Sequence, residues 1–382
     1  MNAIFAIFSA IFILFLYILS CFENVFSRPI SKFFGLVGLS AGMVLLAFRG
    51  FGLDFFNYKE FYNGSINANT WGELFYQPFE PLFVALMLLF KHLNLGFEAF
   101  YLFLNLSAAS MAFYAYGRKF FSATLVFLFF LFYFFGYMDV TRGFFVSCAF
   151  VFSVSLFFQK KYLIFVVIMV LAPFVHYSFL LCWVLFFLIS FKMNLVRYLF
   201  LLFASLILGL LLHQFLTLIE YSHFKFESFK FLKEGLRYLT TKGATPDGGF
   251  ISLTHAIAWY FLICFLPIFA IIINFLSFEK IKSYHDKTLM CLHTFSCWGS
   301  IFFVFFASLG PLLIANRLFY LLSLGLPVIT YAMCLNAQVK PRIKIRYIEY
   351  QALVWFLFFG VFLSFLYTAK AHIPGSSLYL GI

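Results

Sequence analysis

A few ionisable side chains interrupt or border the long apolar runs of this chain, and they are its best candidates for chemistry. Arg142 follows Asp139 by three residues in GYMDVTRGFF, His176 lies in LAPFVHYSF, and Glu80 stands among prolines in QPFEPL. Ionisable groups in such surroundings usually face a cavity or one another, because a charge exposed to lipid costs several kcal/mol. The pattern therefore predicts one polar chamber inside an apolar scaffold.

Three arginines are candidates for binding an anion. The planar, permanently charged guanidinium of Arg142 suits the oxygens of a phosphate or diphosphate, although it could instead pair with Asp139 one helical turn earlier. Arg317, in IANRLFYLL, has the same two interpretations, as an anion ligand or as an anchor that reaches the membrane surface. Arg49 is the third candidate.

The remaining candidates could handle protons or sugar hydroxyls. Histidine side chains ordinarily titrate near neutrality, so His176 could accept a proton, or it could be a core histidine at a helix break. Glu80 could act directly or cap the following helix, where the dipole favours a carboxylate. Asp54 and Tyr58 share a helical face and could contact sugar, or they could belong to an aromatic helix at the membrane interface.

Composition decides the class of protein that holds these residues. Of 382 residues, 64% are hydrophobic and 10% are charged, which predicts a polytopic membrane protein. The net charge of +12 comes from lysines and arginines in short turns between apolar runs, so we interpret it as an orientation signal rather than a nucleic-acid surface. The first run lacks a basic start and a cleavage site, which indicates a retained helix.

The cysteines do not predict a metal site. There are seven, none forms a CxxC pair, and the group of Cys291, His293 and Cys297 lacks a second pair of ligands.

The apolar runs predict a single all-α membrane domain over residues 1–382 with about 10–12 transmembrane helices. The runs cover residues 3–21, 33–48, 97–116, 121–138, 144–158, 195–219, 251–278, 289–309, 318–335 and 352–368.

Two segments do not fit full crossings. Residues 81–93 are short, and we expect a re-entrant or half-spanning helix there. Residues 162–189 are too long for one helix and too short for two ordinary ones, so we expect a broken helix pair near Pro173 and His176.

The basic turns predict the orientation. Turns such as those with Lys160 and Lys161 should face the cytoplasm. The loops that hold the mixed charges then face outside; they are residues 49–80, 139–142, 220–249 and 311–317. Within residues 220–250, aromatic and charged residues alternate, which predicts an amphipathic helix followed by a loop.

Several motifs, taken in order, resemble the EpsG-like exopolysaccharide polymerases, relatives of the Wzy O-antigen polymerases. They are Gly52-x-Asp54-x-x-x-Tyr58, the Glu80-Pro81 pair, Arg142 followed by an apolar run and Lys160-Lys161, Ala172-x-x-x-His176, and Arg317-x-x-Tyr320. The chain departs from the family where an Arg-Gln pair is replaced by Arg142-Gly143 and a Glu-Pro-Gly by Glu80, Pro81 and Leu82.

The resemblance implies a glycosyltransferase that joins undecaprenyl-diphosphate-linked oligosaccharide repeat units at the outer face of the bacterial inner membrane, for O-antigen, capsule or exopolysaccharide. Arg142, Arg317 and Arg49 would bind the diphosphate, and the base would be His176, Asp139 or Glu80. Asp54, Tyr58 and Tyr320 would contact sugar. We expect no metal, cofactor, nucleotide donor or nucleic acid. Partners would be membrane lipid and a chain-length regulator and flippase of the same pathway.

Two alternatives use similar residues. A flippase for lipid-linked oligosaccharide also needs a cationic chamber, but it would normally show two related halves, and the sequence shows no internal repeat. A ligase that attaches finished glycan to another acceptor is the second alternative.

Overall fold

A computed structural model describes residues 2–22, 27–47, 53–64, 72–117, 120–133, 141–190, 193–221 and 287–309, with a few short pieces between positions 268 and 331. Every regular element in these ranges is helical. The α-helices are α1 (Asn2–Cys21), α2 (Arg28–Ala47), α3 (Leu53–Asn63), α4 (Pro81–His92), α5 (Phe97–Tyr116), α6 (Ala123–Tyr133), α7 (Thr141–Phe158), α8 (Tyr162–Leu171), α9 (Leu180–Leu185), α10 (Leu195–Tyr221) and α11 (Lys287–Leu309).

The predicted all-α polytopic membrane fold is confirmed. Within the described ranges, five helices are long and apolar enough to cross a membrane, namely α2, α5, α7, α11 and the Leu195–Phe215 part of α10. Helix α5 has the predicted bounds, whereas α2 begins five residues before its apolar run. The first five residues of α2 include Arg28, Pro29 and Lys32. Pro29 is tolerated in the first turn because the N–H that it lacks has no partner within the helix.

Neither of the two segments that do not fit a full crossing forms one long helix. Helix α4 has 12 residues and so spans about 18 Å, well short of the roughly 30 Å of hydrocarbon in a bilayer. The 162–189 segment is a broken pair, in which α8 gives way to a 3₁₀ turn at Ala172–Phe174, an extended residue at His176, a second 3₁₀ turn at Tyr177–Phe179, and then α9.

Two helix pairs form the main contacts of the described bundle. Helix α5 packs along α7, and α10 packs along α11, while α1, α2 and α6 pack together. Alanines 108, 109 and 112 of α5 are fully buried, as are Ala123 and Leu125 of α6. Small residues let helix backbones approach closely, which is the usual way that helices associate in membranes.

Helix α2 meets α6 at a glycine. A Cβ placed on Gly35 would lie 2.9 Å from the backbone carbon of Ser122 and 3.0 Å from its oxygen. Backbone atoms cannot move aside as a flexible side chain can, so this close approach requires glycine.

We expect Gly35→Ala to lower the free energy of unfolding by about 1–3 kcal/mol, because the added methyl group overpacks the α2–α6 contact. Unfolding of the purified protein in mixed micelles measures this. Ala41→Leu is the matched control, since it adds more atoms at an exposed position of the same helix and should change stability by less than about 0.5 kcal/mol. Equal losses in the two variants would contradict the prediction.

Some predicted elements lie outside the described residues. They are the amphipathic helix and loop at 220–250 beyond residue 221, nearly all of the 251–278 run, half of the 318–335 run, and the 352–368 run. The division of the chain into one domain with these outer loops stays a prediction.

Candidate functional site

The start of α4 places Glu80. Pro81 is the first residue of this helix and Glu80 its N-cap, a natural arrangement because proline suits the first helical position. The Glu80 side chain makes no capping hydrogen bond, although the residue occupies the capping position that the sequence suggested. Its carboxylate points instead to two other segments of the chain.

The break between α8 and α9 places His176. Pro173 lies in the 3₁₀ turn that follows α8, and His176 itself is extended, with φ −160° and ψ 121°. Its Nδ1 lies 2.7 Å from Oε1 of Glu80. The backbone N–H of the next residue, Tyr177, donates to the same oxygen at 3.3 Å.

The first turn of α7 places Arg142. Nη1 of Arg142 donates to Oε2 of Glu80 and forms a salt bridge with it. Nε donates to the hydroxyl of Tyr58, from α3, at 2.7 Å. Four residues from four separate segments therefore form one polar cluster, which we call the Glu80 cluster: Tyr58, Glu80, Arg142 and His176.

Aromatic rings surround the guanidinium of Arg142. Its central carbon lies 5.3 Å from the ring centre of Tyr58, 4.9 Å from that of Phe79 and 5.5 Å from that of Phe83. Such cation–π contacts are most favourable where water is excluded. The rings also pack edge-on against one another, so Arg142 is held in place on several sides.

Glu80 is ionised in this setting. Burial opposes its charge, but the hydrogen bond with His176 and the positive charge of Arg142 outweigh burial and hold the pKa of Glu80 below its ordinary value of 4.5. An ionised carboxylate only accepts hydrogen bonds. The facing groups, Nδ1 of His176, N–H of Tyr177 and Nη1 of Arg142, must therefore all be donors.

We expect acid to weaken the fold through Glu80. Because its folded-state pKa lies below its unfolded-state value, the charged carboxylate stabilises the protein above pH 4.5, and this stabilisation is lost as the pH falls through the folded-state pKa. The stabilities of wild type and Glu80→Gln, measured by unfolding from neutral to acidic pH, should therefore converge on the acid side. A difference independent of pH would contradict this expectation.

Two atoms of the cluster stay available for a ligand. Within the described residues, the hydrogen bonds of Arg142 engage Nη1 and Nε and leave Nη2, and those of His176 engage Nδ1 and leave Nε2. The side chains of Arg142 and His176 are each 17% exposed, whereas that of Glu80 is 6% exposed. A cation and a proton acceptor, both partly exposed, are therefore joined by a buried carboxylate.

The structure brings together four of the predicted site residues. Of the others, Asp54 lies in α3 one turn before Tyr58, and Asp139, Arg49, Arg317 and Tyr320 lie outside the described residues. The roles assigned to these five stay predictions.

Sequence reasoning missed two features of the cluster. The pairing of Glu80 with Arg142 was not predicted, although both residues were placed at the same membrane face. The aromatic contacts of Phe79 and Phe83 were missed as well. In a chain with 65 phenylalanines, nothing in the sequence distinguishes these two, so no local signal could have found them.

The described part of the chain contains no cluster of three or more His, Cys, Asp or Glu residues that could hold a metal ion. Cys297 and His293 are neighbours on α11, with Sγ and Nδ1 3.9 Å apart.

Comparison with known proteins gives one match. The model of the EpsG family matches residues 32–374, which include every residue of the Glu80 cluster. No curated protein matches the chain, and no solved structure does either.

Proposed function

The chain belongs to the EpsG family, and we propose that it is a polysaccharide polymerase that joins oligosaccharide repeat units carried on undecaprenyl diphosphate. The observation on which this proposal rests is the Glu80 cluster, where a histidine and an arginine are held side by side by one buried carboxylate. Glycosyl transfer from a lipid diphosphate needs these two groups, a base for the acceptor hydroxyl and a cation for the leaving diphosphate.

In the proposed reaction, a hydroxyl of the incoming lipid-linked unit attacks the anomeric carbon of the growing chain. A new carbon–oxygen bond forms, and the bond between the anomeric carbon and the diphosphate oxygen breaks. His176 accepts the hydroxyl proton at Nε2. The remaining N–H groups of Arg142 donate to the diphosphate as it gains negative charge, which lowers the barrier because the charge develops next to fixed donors.

The charge of the Glu80 cluster limits what Arg142 does alone. Glu80 neutralises much of the Arg142 charge, while the diphosphate has more than one negative charge. We propose that Arg317 and Arg49 supply further positive charge to the diphosphate.

Tyr58 is 1% exposed and accepts a hydrogen bond from Arg142. We therefore propose that Tyr58 orients Arg142 and that Asp54 and Tyr320 contact the sugar.

The distribution of basic residues supports a site on the outer face. Helix α7 has 18 residues and is therefore about 27 Å long. Arg142 lies in its first turn, and its other end, at Phe158, is close in sequence to Lys160 and Lys161. Nζ of Lys161 donates to the hydroxyl of Tyr114 at 2.6 Å, so the end of α5 lies on that side too. Because basic turns favour the cytoplasm, the Glu80 cluster would face the cell exterior or periplasm.

A deletion strain complemented with this chain tests the proposal. The lipid-linked pool and the surface or secreted polysaccharide are analysed, with chain length resolved on a gel. Single repeat units that accumulate outside the membrane in the deletion strain, together with long chains restored by the wild type, would support polymerisation. Repeat units trapped on the cytoplasmic side would identify a flippase instead, and long chains that stay on the lipid carrier would identify a ligase.

A further inference from the structure

Glu80 contacts the two partly exposed groups of the cluster, Arg142 and His176, but is itself buried. Its two carboxylate oxygens accept hydrogen bonds from His176, the backbone of Tyr177 and Arg142. With 6% of its side chain exposed, it has little surface left for a substrate. Glu80 therefore differs from His176 and Arg142, each of which keeps one side-chain nitrogen without a hydrogen-bond partner among the described residues.

We infer that Glu80 is a positioning residue that fixes His176 in the tautomer with its proton on Nδ1, so that the lone pair of Nε2 faces the reacting hydroxyl. This assignment deepens the proposed function and rests on it for the identity of that hydroxyl. A carboxylate with no proton cannot donate, so the nitrogen 2.7 Å away must donate. The second nitrogen of a neutral imidazole is then the acceptor.

The same contacts argue against Glu80 as the general base. A base must reach the proton that it removes, within hydrogen-bond distance in a plausible substrate position. Both oxygens of Glu80 already have donors, and every one of these hydrogen bonds stabilises the ionised form and so makes the carboxylate a weaker base. The Tyr177 N–H forms a second hydrogen bond between Glu80 and the segment that contains His176. This bond helps to hold the imidazole in place.

Nitrogen NMR of the full-length protein tests the tautomer without any enzymatic assay. The protein is labelled with ¹⁵N-histidine, held in lipid nanodiscs at mildly alkaline pH, and the His176 signals are identified as those lost in His176→Asn. The inference expects a protonated Nδ1 and an unprotonated Nε2. A proton on Nε2, either alone or together with one on Nδ1, would overturn it. Because this measurement does not depend on polymer synthesis, it stands apart from the test of the proposed function.

A double-mutant comparison tests whether Glu80 acts through His176. In a reconstituted assay with a lipid-linked repeat unit, Glu80→Gln should lower the rate of polymer formation by up to about 10⁴-fold, the effect that replacing the carboxylate behind the catalytic histidine has in serine proteases. In the His176→Asn background, the same change should lower the residual rate by less than about threefold, because residues that act as a unit have non-additive effects. If Glu80→Gln lowered the rate by the same factor in the wild-type and His176→Asn backgrounds, Glu80 would act independently of His176, and its positioning role would be refuted.

Discussion

Replacing His176 by asparagine should lower the rate of polymer formation by about 10²–10⁴-fold, the usual contribution of a positioned general base. Asparagine isolates the role of Nε2, because its amide N–H can still donate to Glu80, as Nδ1 of His176 does at 2.7 Å, whereas it has no atom equivalent to Nε2. The substitution thus removes the proton acceptor and retains the hydrogen bond to Glu80. The rate is measured on purified, reconstituted protein with a lipid-linked repeat unit as substrate.

His92→Asn is the matched control for this variant. His92 lies at the far end of α4 from Glu80 and is exposed, so the same chemical change there should leave the rate within about twofold and stability within about 0.5 kcal/mol. If His176→Asn retained the wild-type rate while remaining folded, His176 would not be the base, and Asp139 would be the next candidate.

Replacing Arg142 by methionine should lower the free energy of unfolding by about 3–5 kcal/mol, which is the usual effect of removing one partner of a buried ion pair. Glu80 would keep His176 and the Tyr177 N–H as partners, but its charge would lose the guanidinium. Methionine retains much of the apolar stem among Phe79 and Phe83. Equilibrium unfolding in mixed micelles, followed by loss of helical signal, gives the value.

A second substitution should rescue part of this loss. In Glu80→Gln/Arg142→Met no buried carboxylate is left without its cation, so the double variant should be more stable than Arg142→Met alone. Lys91→Met, which changes an exposed basic residue in the last turn of α4, should cost less than about 0.5 kcal/mol. A loss from Arg142→Met no larger than that from Lys91→Met would show that the ion pair with Glu80 contributes little to stability.

The sequence by itself determined the class of fold and most of the helix bounds. Apolar runs long enough to cross a bilayer can only be helices or barrel strands, because hydrocarbon offers no hydrogen-bond partner to the backbone, and runs such as that of α5 are too long for strands. The sequence also predicted the short helix and the broken pair. A proline within an apolar run breaks the helix at Ala172–Phe174, and the apolar run at 81–93 is too short for a full crossing, in agreement with the 12 residues of α4.

Tertiary structure alone decided which polar groups meet. Glu80 lies 62 residues from Arg142 and 96 from His176 along the chain, and no periodicity extends across such distances. Sequence reasoning weighed Asp139 as the partner of Arg142 because it is one turn away, and it weighed a capping role for Glu80 because a helix follows. Local spacing gives only such nearby partners, whereas the packing of α3, α4 and α7 against the break before α9 brings the Glu80 cluster together.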